Sequence, residues 1–344
     1  MYRLNSDYTE GCHEAVLAKL VATNMNQTDG YGEDDFTYEA KSLIKKTFAC
    51  PDALVQFLIG GTQTNFTFIC AALLPHQAVI ATKLAHIATH EAGAIEHTGH
   101  KVIELPSADG KLTAAQVDAE YKKYLSDTSR THWAQPKMVY VSQPTELGSM
   151  YSKKELNDLY AVCKEHGLYL FIDGARLAYA FGSSENDLAI EDLAKTCDAF
   201  YAGGTKCGLL FGEALVILNE KLKEDFFTIA KASGGILAKG RLLGLQFGEI
   251  FKDGLYFKLG QKACAQADRV KAAIFKRGLK LRTYTPTNQI FVILSPSQYE
   301  KLSEEFALSL SEYLPDGNYS VRICTSWATK AAEIDKISKR IENL

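Results

Sequence analysis

Residues 167–213, GLYLFIDGARLAYAFGSSENDLAIEDLAKTCDAFYAGGTKCGLLFGE, restrict the fold more than any other stretch of the chain. An apolar run with strand character, Leu168 to Ile172, stops on an acid, Asp173, and is followed by Gly174 and Arg176. A second run, Ala199 to Ala202, stops on Gly203-Gly204-Thr205, with Lys206 and Cys207 after it. Polar and glycine residues set at strand ends, with helix-like sequence between the strands, fit a sheet whose carboxyl ends gather a site.

The same pattern recurs upstream. Val55 to Ile59 meets Gly60-Gly61-Thr62-Gln63, and residues 137–142 meet Gln143-Pro144-Thr145-Glu146. Strands alternate with helical segments from residue 55 to 215, which predicts an α/β chain with a mostly parallel sheet covered by helices. Parallel strands would bring the four polar strand ends to one rim. Beyond a long helical segment, 242–277, the strands LKLRTY, IFVIL and SVRIC and the helices 297–314 and 330–343 predict a small α+β region. The expected division is a large domain, 1–245, and a small C-terminal domain, 246–344, with residues 1–35 contributing to the site.

Composition narrows the function classes. A chain of 344 residues is long enough for two cores. Its formal net charge of −3, without long runs of one sign, argues against nucleic acid or an anionic membrane as partner. No apolar stretch has the length of a membrane span, and the opening MYRLNSDYTEGCHEAV is too polar for a signal or transit peptide. The eight cysteines never form a CxxC pair, so reduced thiols and a cytoplasmic location are expected.

Several residues are candidates for chemistry. The Gly60–Gln63 turn, between a strand and a helix start, offers free N–H groups and a dipole to an anion, but lacks the Walker lysine and the dinucleotide glycine spacing. His86 and His90 fall at i and i+4 of an expected helix, 85–96. The HExxH order is missing, no metal is expected, and a ring stacked on a cofactor suits His86 better. Tyr8 and Tyr31, in turn-rich segments, either belong to a surface connection or reach a ligand. Lys239 and Arg241 form a basic pair after Gly234-Gly235. Arg322 lies in an otherwise apolar strand, where an arginine is either salt-bridged or a fork for a carboxylate. An acid able to hold a pyridinium nitrogen and a lysine able to form a Schiff base together point to pyridoxal phosphate.

In order and spacing the motifs resemble the threonine aldolase and β-eliminating lyase group of pyridoxal phosphate enzymes, which share the aspartate aminotransferase fold. The resemblance covers most of the chain: Ser6-Asp7, YGED at 31–34, GGTQTN at 60–65, AH…HEAGA at 85–94, DGAR at 173–176, TK at 205–206 and VR at 321–322. It implies that Lys206 carries the cofactor, Asp173 holds the ring nitrogen, Gly61 and Thr62 bind the phosphate, and Gln63, Arg176 and Thr205 also touch the cofactor. It further implies that His86 stacks on the ring, and that Arg176 and Arg322, with Ser6, Tyr31 and His90, address the substrate and the ring hydroxyl. Two departures stand out. Glu146 occupies a place where the family commonly has histidine, and Lys239 stands in for an arginine that touches the phosphate, across a subunit boundary.

The implied reaction is Cα–Cβ cleavage of a β-hydroxy-α-amino acid to glycine and an aldehyde, with His86, Glu146 or a water between them as base and His86 preferred. β-Elimination and transamination are the alternatives within the cofactor class. A non-catalytic α/β scaffold is the alternative outside it. The resemblance also implies a homodimer or homotetramer with sites at the subunit interface.

Overall fold

The computed structural model describes residues 1–344. Its strands are β1 (Tyr2–Arg3), β2 (Leu54–Leu58), β3 (Gln77–Thr82), β4 (Lys101–Leu105), β5 (Gln135–Ser142), β6 (Tyr169–Asp173), β7 (Ala199–Gly203), β8 (Glu213–Ile217), β9 (Gln289–Leu294), β10 (Phe306–Ala307), β11 (Ser309–Tyr313) and β12 (Tyr319–Cys324). Seven of them form one sheet in the order β2-β8-β7-β6-β5-β3-β4. β8 runs antiparallel to both of its neighbours, β2 and β7, and the remaining pairs are parallel.

Alternation along each strand explains why the sheet needs cover on both faces. Leu170 and Ile172 pack into a core on one side with the helices Asp35–Thr47, Lys153–Glu165, Arg241–Phe251 and Leu255–Lys276. Phe171, between them, packs on the other side with Phe68 and Ile69 of the helix Gly61–Ala72. All three β6 residues are fully buried, and each contributes about 1.5–3 kcal/mol by leaving water. Local signals set the helix starts. Ser152 and Glu155 make a reciprocal capping box at the helix that feeds β6.

A three-stranded antiparallel sheet, β11-β12-β9, packs through Val292, Val321 and Ile323 on Val270, Ile274, Ile334 and Ile337. The first residues of the chain are bound into this layer. β1 pairs with β10, and the Leu4 carbonyl accepts the Cys324 N–H at 2.7 Å.

Four expected elements differ. The helix expected over 85–96 is two short ones, His86–Thr89 and Ala94–His97, because Ala92 and Gly93 take positive φ between them (53° and 74°). The long segment 242–277 breaks at Asp253 (φ 52°) and Gly254 (φ 67°). The helix expected over 297–314 ends at Ser303, and 309–313 is instead β11. Of 279–284 only Leu281 makes a sheet bridge, to Val292.

Candidate active site

The carboxyl ends of β5, β6 and β7 and the Gly60–Thr62 turn open into one cavity of about 530 Å³. Its lining includes Gly61, Thr62, His86, His90, Glu146, Asp173, Arg176, Thr205, Lys206 and Arg322, each expected from the sequence. Tyr8, Tyr201, Glu213 and Gln289 also line it. Another concavity, about 610 Å³ beside β4, gathers no comparable polar set; its Lys123 and Glu120 pair with each other.

Asp173, the last residue of β6, is 4% exposed and heavily bonded. Its carboxylate accepts from the hydroxyls of Tyr140 and Tyr201, from Asn65 Nδ2 (3.1 Å) and from the Ala175 N–H (2.9 Å). Burial alone would push this carboxyl up, but the nearby His86 and the two tyrosine hydroxyls outweigh it and hold it below the ordinary value. It is an anion at neutral pH.

His86 opens the short helix His86–Thr89, and its backbone N–H donates to Glu146 Oε1 at 2.9 Å. Its ring Nδ1 lies 2.7 Å from Oε1 of Glu91, whose side chain is fully buried. Asn65 Nδ2 bridges this glutamate (2.7 Å) to Asp173. An acceptor at Nδ1 fixes the ring proton there and leaves Nε2 as the free nitrogen. The ring of His90 lies 5.6 Å from that of His86, and burial, with the charges of His86, Arg322 and Lys206, lowers its pKa.

Lys206 follows β7 and is half-buried against the cavity. Burial, then the Arg176 charge, pulls its ammonium below the ordinary lysine value, with Asp7, Asp173 and Glu213 pulling the other way. Arg176 is held bidentate by Asp7, Nε at 2.7 Å and Nη2 at 3.0 Å, and Asn288 Nδ2 also donates to Asp7 at 2.9 Å. Arg322 has no carboxylate partner. Its Nη2 donates to the Asn5 carbonyl (2.8 Å), its Nη1 to Gln289 Oε1 (3.3 Å), and its buried Nε to nothing.

Glu146 Oε1 accepts from Ser142 Oγ at 2.7 Å as well as from His86. Burial raises its pKa, with Asp173 adding to the rise. Glu146 therefore holds the first N–H of the His86 helix at the wall of the cavity it lines.

Four expected residues are not in the lining. Gln63 turns back so that Oε1 accepts the Ile59 N–H at 3.2 Å. Ser6 is buried beside Asp7, away from the cavity surface. Tyr31 and Lys239 are exposed and lie on adjoining turns, the Tyr31 N–H donating to the Ala238 carbonyl at 3.0 Å. Conversely Asn65, Glu91, Asp7, Tyr140, Tyr201 and Glu213 join the site although the sequence reading gives them no role. Asn65, Glu91 and Asp7 fall inside motifs already recognised; the two tyrosines and Glu213 carry only the signal of a polar group in an apolar strand.

The family described as β-eliminating lyase matches residues 3–295. A low specificity L-threonine aldolase of Pseudomonas sp. (strain NCIMB 10558) is 30% identical over 344 residues, 98% of this chain and 96% of that protein. The chain belongs to the threonine aldolase and β-eliminating lyase family. A structure of Leishmania major threonine aldolase is 44% identical and covers 100% of this chain and 99% of its own, with a TM-score of 0.97. Thermus thermophilus aspartate aminotransferase with maleate, 16% identical over 100% of this chain and 91% of its own at a TM-score of 0.69, shares the fold that this family uses.

Proposed function

We propose that this family member is a pyridoxal phosphate-dependent aldolase that cleaves a β-hydroxy-α-amino acid of the L-threonine type to glycine and an aldehyde. The observation that carries the reading is one cavity lined by an unpaired lysine, an ionised carboxylate and a half-buried arginine lacking an anion. The donor set fits the cofactor. Gly60 leaves the helix start at Gly61 without a side-chain cap, so its N–H groups stay open to a phosphate. A Cβ at Gly61 would come within 3.2 Å of the Tyr201 hydroxyl, so the turn and the Asp173 shell are packed together.

Pyridoxal phosphate held by Lys206 would supply an electron sink for charge released at the substrate Cα. The lowered pKa of Lys206 favours the neutral amine that such attachment needs. Asp173 keeps a proton on the ring nitrogen. Arg322, its Nε without a partner, takes the substrate carboxylate. His86 takes the β-hydroxyl proton on Nε2: the O–H bond breaks, a carbonyl forms at Cβ, and the Cα–Cβ pair passes to Cα. Glu91 holds the opposite ring nitrogen and Glu146 holds the backbone, so the base cannot turn away.

No helix is long and apolar enough to cross a membrane. The reading includes a cytoplasmic homodimer or homotetramer. Tyr31 and Lys239 lie side by side outside their own cavity, with Lys231 Nζ 4.0 Å from the Tyr31 ring, and on this reading they complete the site of a partner subunit.

The test uses purified protein. It should absorb in the visible, lose that absorbance on borohydride treatment with the label on Lys206, and release glycine and acetaldehyde from L-threonine or L-allo-threonine. Release of ammonia and a keto acid instead would replace cleavage with β-elimination.

A further inference from the structure

Glu213 is a buried acid in the cavity with no part in the chemistry above. It opens β8 and pairs with Leu58 on one side and Gly203 on the other, which sets it between the Gly60–Thr62 turn and the loop that carries Lys206. It is 3% exposed. Its Oε1 lies 2.8 Å from Thr205 Oγ1, its Oε2 accepts the Gly204 N–H at 3.1 Å, and Thr205 Oγ1 accepts the Gly212 N–H at 3.0 Å.

A hydroxyl has one proton to give and two lone pairs to receive with. Gly212 uses one lone pair of Thr205. An ionised Glu213 has no proton, so Thr205 must spend its own on Oε1 and has nothing to donate into the cavity it lines. A protonated Glu213 donates to the second lone pair, and the threonine proton is released to a ligand, the Gly212 carbonyl at 3.5 Å being the one longer, weaker competitor for it.

We propose that Glu213 acts in its protonated form as a switch on the anion-binding end of the cavity, turning Thr205 into a donor for the cofactor phosphate and withdrawing that donor when it ionises. The proposal rests on the pyridoxal phosphate reading. Ionised Glu213 would also set a negative charge beside a phosphate dianion. Burial raises this carboxyl to about 8, against the pull of Thr205, Lys206 and Gly204, while Asp173 pushes it further up. Lys206 and Asp173 are the charged groups facing it, and Tyr201, Cys207 and Tyr256, all raised by burial and neutral, are its other titratable neighbours; β2 presents Leu58, and the helix Arg241–Phe251 presents Leu243 and Phe247 to the neighbouring Gly212. The sign follows. Phosphate binding favours the protonated form, so phosphate affinity is level below about pH 8 and falls as pH rises above it, by up to about tenfold per pH unit.

The experiment is equilibrium dialysis of the purified protein against pyridoxal phosphate and against pyridoxal, from about pH 6.5 to about pH 9.5. Both probes present the aldehyde, pyridoxal after opening its internal hemiacetal, so the ratio of their affinities, corrected for that opening measured on the free probe, isolates the phosphate and cancels the titration of Lys206. For the wild type the ratio should fall above about pH 8. For Glu213→Gln it should stay flat, and for Thr205→Val it should be lower at every pH and fall less steeply than the wild type, since only the charge of Glu213 still acts. A wild-type ratio that stays flat, or that falls in parallel with Glu213→Gln, overturns the switch. A ratio near one at every pH in both proteins overturns the phosphate reading of the cavity, and the switch with it. Calorimetry of the wild type in buffers of different ionisation enthalpy does not depend on the variants folding. One pH unit above the Glu213 value, pyridoxal phosphate should take up about one more proton per site than pyridoxal, and equal uptake overturns the proposal.

Discussion

Asp7 and Arg176 lie 169 residues apart in sequence and make a bidentate ion pair in which the carboxylate is wholly buried. Burial works against the Asp7 charge, but Arg176, then Lys206, bring its pKa down to about 2. A depressed carboxyl gives stability that is complete above its ordinary value of 3.8 and is lost as pH falls toward 2, about 2 kcal/mol in all. Asp7→Asn should therefore flatten the acid limb of urea stability between about pH 5 and pH 2. At neutral pH it should cost about 3 kcal/mol, because it leaves a buried guanidinium unbalanced. Glu91→Gln tests the hold on His86. An amide can offer either an acceptor or a donor to Nδ1, so part of the protein should carry the wrong tautomer. We expect kcat/KM for L-threonine to drop about 10–100-fold with the cofactor absorbance unchanged; an unaltered rate would remove Glu91 from the mechanism. Asp173 and Lys206 were legible from sequence because each sits at the end of an apolar run. Asn65 and Glu91 were not, since their meaning lies in partners 108 and 26 residues away, which no local spacing reveals.

At the level of elements, the polar strand ends meet because glycines let backbone cross backbone. A Cβ on Gly174 would lie 1.9 Å from the Tyr201 carbonyl oxygen, so the turn after β6 rests directly on β7. The same device recurs where the helix Leu255–Lys276 crosses the helix Leu177–Gly182, which starts just after Arg176. There a Cβ on Gly260 would lie 1.9 Å from the Ala178 carbonyl oxygen. Gly260→Ala should push the two helices apart, lowering stability by about 1–3 kcal/mol. It should also raise KM more than it lowers kcat, since Arg176 moves with its helix; thermal melts and steady-state kinetics check both. Strand positions were readable from apolar runs, but strand direction is not a property of periodicity. The reversal of β8 did have a signal. The link from Gly203 to Glu213 is shorter than the dozen or so residues a parallel crossover requires. The broken helices had one as well, in Gly93 and Gly254, although a lone glycine inside a helical pattern is a weak stop signal, and Ala92 and Asp253, which share the positive φ, give none.

For the molecule as a whole, the patch of Tyr31, Lys231 and Lys239 is the feature a single chain leaves unused. If subunits share sites, Lys206→Ala and Lys239→Ala proteins should each be weak alone and recover activity when unfolded and refolded together. Gel filtration should show a species larger than one chain, and a monomer with full activity would end the shared-site reading. The ties at the chain's beginning bear on a different question, the order in which the protein is made. Leu4, Asn5 and Asp7 are bonded to Cys324, Arg322 and Asn288, so the carboxylate end of the cavity needs residues that emerge from the ribosome far apart in time. The central sheet, finished by Ile217, has its lysine in place well before the later of them. Once that sheet is complete the nascent chain can hold the lysine end of the site while still lacking a seat for the amino acid, and turnover waits at least until residues 288–324 have joined it.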